Sequence, residues 1–555
     1  MKKFLTILIS AMLVTSVAVT TSAASDVAID PSTVMRSMEP NANSRGILFV
    51  ENMDSLFALG HIKYTDSPEK NSVGAPLTAE ERDWKICPSW GDDSCVKRYK
   101  STVDGYVILG SCISSKEIGC VESLSISDST GQVNELALVG PATTGVIDIP
   151  ESQEYGIPRS TSRPLYRDSS GQLYIVRASL RVSFPPGSNA KTYFNLNVDV
   201  TPVTKVANSE IGAPEAISLP NNVSGKGIVT VRPTREECVT IDKGYCYQPL
   251  VADVTSKFEL KLRVPTGVSG WMNGRLVDPR FSLTQLNSNS QVISVSAKPA
   301  RMPIAGGWAT YAELPENFLA NLYPYSRLIF EKKMPGFFVS SPSQGDRGFN
   351  EYAAWAPYLK DRAVTSVTNW SFSTQVNAGV DFCGKPTNAI TGVVASNASV
   401  YSSRPPTWDA ANSTLSYQVA SPHYDENGKE NVGTYTLAMS TSTIKCLYGQ
   451  SNLPPSATIS IGYGNEIVNV ATVTLKSDAD WVYFSANGFH YSNPTIRVKF
   501  SKSAPQSQTQ GMGQAGSAST SKIQWCAKGY AKKKVVGANP VCPKGYKKIA
   551  DPTIR

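Results

Sequence analysis

Two stretches decide how this chain folds: Leu173-Tyr174-Ile175-Val176-Arg177-Ala178-Ser179-Leu180-Arg181-Val182 and Lys257-Phe258-Glu259-Leu260-Lys261-Leu262-Arg263-Val264. Both alternate with a period of two. A strand sends successive side chains to opposite faces, so this period predicts β-structure. In the first stretch Tyr174, Val176, Ala178, Leu180 and Val182 share the face expected to be buried. Leu173, Ile175, Arg177, Ser179 and Arg181 share the other. In the second, Phe258, Leu260, Leu262 and Val264 alternate with Glu259, Lys261 and Arg263, the pattern of a half-buried strand.

Outward from these, short runs rich in Val, Ile, Thr and Tyr recur between turn residues. Strands are expected at Gly46–Val50, Gly105–Gly110, Val121–Ser127, Glu135–Val139, Thr192–Val200, Gly227–Arg232 and Gln291–Ala297. Further strands are expected at Ser416–Pro422, Thr434–Ser440, Glu466–Lys476, Trp481–Ser485 and Pro494–Phe500. The fold class is therefore mainly β: multi-domain β-sandwich or immunoglobulin-like units with a few short helices and disulfide-closed hairpins. A chain of 555 residues exceeds one core. The expected divisions are a first β domain at 46–215, a second at 216–300, an aromatic-rich α+β segment at 301–370 and a β-sandwich at 371–500.

The N-terminus reads as an export signal over 1–24. Lys2 and Lys3 precede an apolar run, Phe4 to Val19, and then small residues, Thr20 to Ala24. Cleavage is expected after Ala23 or Ala24. The run is short for a membrane span, no Cys marks a lipid anchor, and no later stretch reaches the ~20 apolar residues a spanning helix needs. The mature chain is therefore expected to be secreted, associated with a cell wall or surface, and to carry no transmembrane helix. Residues 25–45 read as a flexible leader.

An exported chain with ten cysteines predicts disulfides. Three pairs share the spacing C-x7-C: Cys87/Cys95, Cys112/Cys120 and Cys238/Cys246. Each encloses turn-forming residues, and a bridge across a hairpin base suits a Cα separation of about 5.5 Å. Cys383 with Cys446 would close a long loop, and Cys526 with Cys542 a tail loop. Other pairings among Cys87, Cys95, Cys112 and Cys120 stay open. There is no C-x2-C pair, and His61, His423 and His490 lie far apart in sequence, so no metal or cofactor is expected.

Three regions invite a functional reading. Trp271–Pro279, with Arg275 and Asp278, is expected to be core, with Trp271 packed inside and Arg275 covering it, rather than a pocket wall. The stretch 301–370 gathers Trp308, Tyr311, Tyr323, Tyr325, Phe337, Phe338, Tyr352, Trp355 and Tyr358. Asn350 is expected to cap a short helix carrying Tyr352, Trp355 and Leu359, with Pro357 limiting its length. Such aromatics are more often core than binding surface. Asp425-Glu426-Asn427-Gly428, between two strand-like runs, reads as a hairpin turn rather than a calcium loop, because half of the calcium-ligand pattern is missing.

The sharpest motif is at the end. Residues 501–522 form a Ser/Gln/Gly/Ala linker. Then Cys526-Ala527-Lys528-Gly529-Tyr530-Ala531-Lys532-Lys533 is echoed sixteen residues on by Cys542-Pro543-Lys544-Gly545-Tyr546-Lys547-Lys548. Val535 to Val541 reads as strand, turn, strand, so 523–555 is expected to be a basic, disulfide-closed hairpin. From 522 onward the basic residues are Lys522, Lys528, Lys532, Lys533, Lys534, Lys544, Lys547, Lys548 and Arg555, against one acid, Asp551. That segment carries +8, as large as the net charge of the whole chain, and leaves 25–521 at −2. The basicity is a property of the tail. The binding residues expected from it are Lys528, Tyr530, Lys532, Lys533, Lys534, Lys544, Tyr546, Lys547 and Lys548. On an exported protein such a tail suits a cell-envelope polyanion or an acidic patch on a surface protein. Export argues against nucleic acid as the partner.

This tail resembles that of uncharacterised exported proteins of actinobacteria, which end in C-x-K-G … K-K … C-P-x-G-Y-K-K after a Ser/Gly/Ala linker. Cys526, Lys528, Gly529, Lys533, Lys534, Cys542, Pro543, Gly545, Tyr546, Lys547 and Lys548 carry the resemblance, over about 30 residues. The segments Cys238–Trp271 and Ser421–Tyr448 are also similar to β-rich members of that group. The resemblance implies a surface location and no reaction.

No G-x-S-x-G elbow, H-E-x-x-H helix, phosphate loop or dinucleotide fingerprint is present. The expected function is a non-catalytic structural or binding protein of the surface. The alternative is a secreted carbohydrate-active hydrolase with its site in 301–370. That class needs only two carboxylates, and Glu313, Glu316, Glu351 and Asp361 are candidates.

Overall fold

The computed structural model describes residues 26–40, 44–51, 60–65, 85–90, 92, 102–127, 130–143, 148–184, 192–207, 216–217, 230–231, 238–314, 336–340, 346–375, 389–402, 404–448, 457–463, 466–469, 473–491, 495–500, 522–528, 531–537, 541–542 and 546–549. The expected signal peptide, most of the 501–522 linker, Cys95, Cys383, Glu316, Tyr323, Tyr325, Tyr530 and Lys544 lie outside these residues. The chain divides into two compact units, 1–504 and 505–555.

The larger unit is built on one long run of paired strands. From one end it passes through Lys85–Cys87, His61–Thr65, Thr102–Ile108, Leu173–Phe184, Tyr193–Ala207 and Ser371–Gln375. It continues through Gly270–Gln285, Ile390–Ser396, Val432–Ser440, Trp481–His490 and Val473–Ser477. Every step is antiparallel except Gly270–Gln285 with Ile390–Ser396. A second sheet pairs Val133–Glu135, Cys120–Ser127, Lys257–Pro265, Ser290–Ile304 and the far half of Gly270–Gln285. The sixteen-residue strand Gly270–Gln285 thus belongs to both sheets. It bends at Asp278, where φ is +49° and the register shifts between Val277 and Arg280. Strands that change sheet at such irregularities form the corners of sandwiches.

These two sheets enclose the largest core. Tyr174, Val176, Ala178, Leu180 and Val182 face Phe258, Leu260, Leu262 and Val264 in it. The period-two readings of both deciding stretches therefore hold. The other face of Leu173–Phe184 is also largely covered. Ile175 packs with Val203, Val239 and Tyr247 in a separate small core, and Arg177 is buried in an ion pair with Asp199, at 2.8 Å.

A third sheet covers the opposite face of the long run near its other end. It orders Val400–Tyr401, Thr414–Ala420, Thr495–Phe500, Ala457–Tyr463 and Glu466–Asn469, with Thr407–Asp409 alongside. Between them Trp271, Val394, Leu437, Met439, Val482 and Phe484 pack on Tyr401, Leu415, Tyr417, Val419, Ile496 and Val498. Successive residues of one strand serve the two cores: Met272 joins the first and Trp271 the second. This is how a sheet buried on both faces comes to be apolar at consecutive positions.

Strand pairing runs across the divisions expected at 215/216, 300/301 and 370/371. Cys120–Ser127 pairs Lys257–Pro265, Tyr193–Ala207 pairs Ser371–Gln375, and Ser290–Ile304 pairs Thr365–Asn369. Within 371–500, strands supply both layers of the third-sheet sandwich. The 301–370 stretch joins a small sheet, Ser44–Phe49 between Gly306–Thr310 and Phe337–Ser340. Its helix, Asp346–Trp355, starts before the expected cap, so Asn350 lies inside it. Ala356–Tyr358 then tightens into a 3-10 turn at Pro357. Of Gly227–Arg232, only Thr230–Val231 is a strand among the described residues.

Two of the C-x7-C disulfides form as expected: Cys112–Cys120, with Cα atoms 5.0 Å apart beside a parallel bridge of Ser111 to Val121 rather than across a hairpin, and Cys238–Cys246 at 5.4 Å. The second closes a two-residue turn in which Lys243 and Gly244 both have positive φ, +44° and +81°, the geometry of a type I′ hairpin. Cys446 and Cys542 are also disulfide-bonded. Cys87 is buried at the end of its strand.

Candidate functional site: a basic three-stranded tail

The smaller unit contains a three-stranded antiparallel sheet. Lys522–Lys528 lies in the centre, between Ala531–Gly537 and Lys547–Ile549. The hairpin differs from the one expected over Val535–Val541: the chain turns between Lys528 and Ala531, Val541 lies outside the strands, and Lys547–Ile549 adds a third strand. The register places the lysines in rows. Lys532 and Lys547 stand on either side of Ala527, and Lys533 and Lys548 on either side of Cys526. Lys534 stands opposite Trp525.

Neighbouring strands are about 4.8 Å apart, so two lysine positions flanking a central residue are about 10 Å apart across the sheet. Along a strand successive positions alternate in face, so Lys532, Lys534 and Lys547 are register positions of one face and Lys533 and Lys548 of the other. The cross-sheet spacing is comparable to the screening length of about 8 Å at physiological salt, so basic positions that share a face reinforce one another's field. No carboxylate stands opposite any of them in the paired registers. Lys547 and Lys548 are exposed, Tyr546 is half-buried, and Cys542 is disulfide-bonded. Of the other expected binding residues, Lys528 ends the central strand opposite Ala531. The chemistry available is that of primary ammonium groups: point charges without the bidentate fork of arginine, suited to a polymer of repeating anions rather than one shaped ligand.

The aromatic stretch has a different role. Tyr352, Trp355 and Leu359 are buried with Ile47, Phe49, Val400 and Ala420. Trp308 donates from Nε1 to the Met35 carbonyl at 3.2 Å and meets Phe337 edge-on. These rings close the small sheet and its helix. The described carboxylates are engaged locally. Glu313 accepts from the Thr310 N–H and hydroxyl, both at 2.7 Å, which holds its carboxyl below its ordinary pKa. Glu351 is buried and accepts from the Ser340 hydroxyl. Asp361 accepts from the His423 N–H at 2.8 Å.

Trp271 and Arg275 are core, as expected, but Arg275 does more than cover the indole. Its Nε and Nη2 both reach Glu51 Oε1 at 2.7 Å, and Nη1 donates to the carbonyls of Ser396 and Ala398. Its guanidinium lies 4.2 Å from the Tyr401 ring centre, and Tyr401 donates to Asn273 Oδ1 at 2.8 Å. Burial, reinforced by the Glu51 charge, raises the Tyr401 phenol well above its usual range. Nothing in the sequence pairs Glu51 with Arg275, because 224 residues separate them. This network is a lock between the sheets, not an opening.

No family model matches the chain, and it matches no curated protein and no solved structure.

Proposed function

We propose that the chain is an exported, non-catalytic surface protein whose tail sheet binds anionic polymers of the cell envelope. The observation that carries the reading is the register: Lys532 with Lys547 on one face, and Lys533 with Lys548 on the other, flank the central strand. A solubility tag needs charge but has no use for a fixed lattice of it. The disulfide at Cys542 and the bridges of the larger unit suit an oxidising, extracellular compartment. The resemblance of the tail phrase to exported actinobacterial proteins points the same way. The larger unit, nearly neutral and built from interlocked sheets, is the body that the tail tethers.

The test is retention of the mature chain on purified cell-wall sacculi carrying their anionic polymers, with and without residues 523–555, across a salt series. Retention by the full chain alone, released between about 0.15 and 1 M salt as screening shortens from roughly 8 to 3 Å, is the expected result. Equal retention of both chains, or of neither, overturns it.

A further inference from the structure

The chain has three histidines, and the fold brings two of them together from 67 residues apart. The rings of His423 and His490 are nearly parallel, at 9°, with centres 6.3 Å apart. Glu430 is beside them, its Oε2 3.4 Å from His490 Nδ1. His490 ends the strand Trp481–His490 and stands opposite Val432. The residue before Val432, Asn431, donates its N–H to the His423 carbonyl at 2.8 Å, and Tyr424 bridges Glu430. Three adjacent chain segments therefore present two imidazoles and a carboxylate on one surface. His490 and Glu430 are each 55% exposed.

The scaffold beneath is rigid. The Asp425 carboxylate accepts from the N–H groups of Asn427 and Lys429, both at 2.9 Å, and Gly428 makes the turn with φ +82°. Glu426 is held by Arg301 at 3.0 Å and by the Ser366 hydroxyl at 2.7 Å. Arg362 donates to the Glu426 carbonyl at 2.6 Å, and the His423 N–H is pinned by Asp361. A site on such a loop needs only side-chain motion to form.

We propose that His423, His490 and Glu430 form a surface site for a divalent transition-metal ion of the zinc, copper and nickel class. Imidazole nitrogen with one carboxylate is the donor set these ions favour. An ion about 2.1 Å from an imidazole nitrogen lies about 3.2 Å from that ring's centre. Two rings sharing it then have centres between about 5 Å, at a tetrahedral angle, and about 6.4 Å, in line. The observed 6.3 Å lies at the in-line end of that span, so the rings close by about 1 Å to hold a tetrahedral ion. The donors close by rotation of the exposed His490 and Glu430 side chains toward the half-buried His423. Among the described residues, the only His, Cys, Asp or Glu triple with donors already within 4.8 Å of one another is Cys112, Glu117 and Cys120, whose sulfurs are spent in a disulfide. Asp361 and Asp425 lie on the same loop scaffold and add negative potential, while Lys429 opposes it. The site belongs to the larger unit and does not depend on the tail reading.

The experiment is calorimetric titration of the full mature chain, without an affinity tag, with zinc, nickel or copper(II) salts one at a time. Copper(II) is also followed by electron paramagnetic resonance. One ion per chain is expected, with two coupled nitrogens. His423→Ala and His490→Ala should each weaken binding at least ten-fold and leave one nitrogen, and Glu430→Gln should weaken it several-fold. Thermal unfolding of each variant in chelator, unchanged from the parent, shows that the loss is not a loss of fold. No binding up to millimolar metal, binding unaffected by either histidine change, or dependence on only one histidine overturns the proposal. Binding unaffected by Glu430→Gln removes the carboxylate from it.

Discussion

Replacing Glu51 with glutamine tests whether the lock between the sheets holds the larger unit together. Arg275 is 2% exposed and directs two of its nitrogens at one oxygen of Glu51, each at 2.7 Å. The variant keeps the side-chain volume and an acceptor oxygen but removes the negative charge, leaving a buried guanidinium uncompensated. Breaking a buried pair by removing one partner costs about 3–5 kcal/mol. Glu51 is 15% exposed, so water reaches part of the pair and the low end, about 3 kcal/mol, is expected. Glu51→Leu and Arg275→Met, the latter also removing the bonds to Ser396 and Ala398, should each be costly too. The double variant, Glu51→Leu with Arg275→Met, should recover much of the loss, because an apolar pair of similar volume is often neutral. The assay is urea unfolding followed by tryptophan fluorescence, with coupling read from the double-mutant cycle. A loss below about 1 kcal/mol in Glu51→Gln, or strict additivity in the cycle, would refute the reasoning.

Gly392 stands against Trp271 so closely that an added Cβ would lie under 3.0 Å from three indole atoms. Gly392→Ala should therefore lower stability by about 1–3 kcal/mol, measured by thermal unfolding. The Tyr435 hydroxyl is buried with no hydrogen-bond partner among the described residues, so Tyr435→Phe should be neutral or stabilising by up to about 1 kcal/mol in the same measurement. Burial raises the phenols of Tyr401, Tyr417, Tyr435 and Tyr491 above their ordinary value of 10. In the unfolded chain they ionise near pH 10 and in the folded chain only well above it, so their contribution is complete below pH 10 and is lost as pH rises further. Absorbance of tyrosinate on alkaline titration should rise in two stages, exposed rings first and these four only with loss of the near-ultraviolet circular dichroism. Early, reversible ionisation of all 24 tyrosines would contradict the burial.

The β class, most strand positions, the two short-loop disulfides and the basic charge of the tail were all legible in the sequence, because each rests on local information. Alternation along Leu173–Val182 and Lys257–Val264, C-x7-C spacing and a lysine count need no knowledge of what is distant. Gly270–Gln285 was not legible as a strand. It is covered on both faces, so the alternation is lost, and Val277-Asp278-Pro279 resembles a break where the chain in fact bends from one sheet into the next. The helix at Asp346–Trp355 begins ahead of its expected cap because packing of Tyr352 and Trp355 on Phe49 and Val400 sets its extent, not Asn350 alone. The domain divisions were drawn from local turn composition, whereas pairing between strands up to hundreds of residues apart obeys no local signal.

The sequence by itself determined that the chain is built of strands, where its charge resides and which cysteines close short loops. These follow from side-chain period, composition and chain entropy over a few residues. Only the tertiary structure decided that one long sheet serves two cores, that Glu51 neutralises Arg275, that lysines of two tail strands fall into rows and that His423 meets His490. Each of these depends on strand register, and register is selected by the burial of whole faces at once, a property of the assembled sheets that no single segment contains.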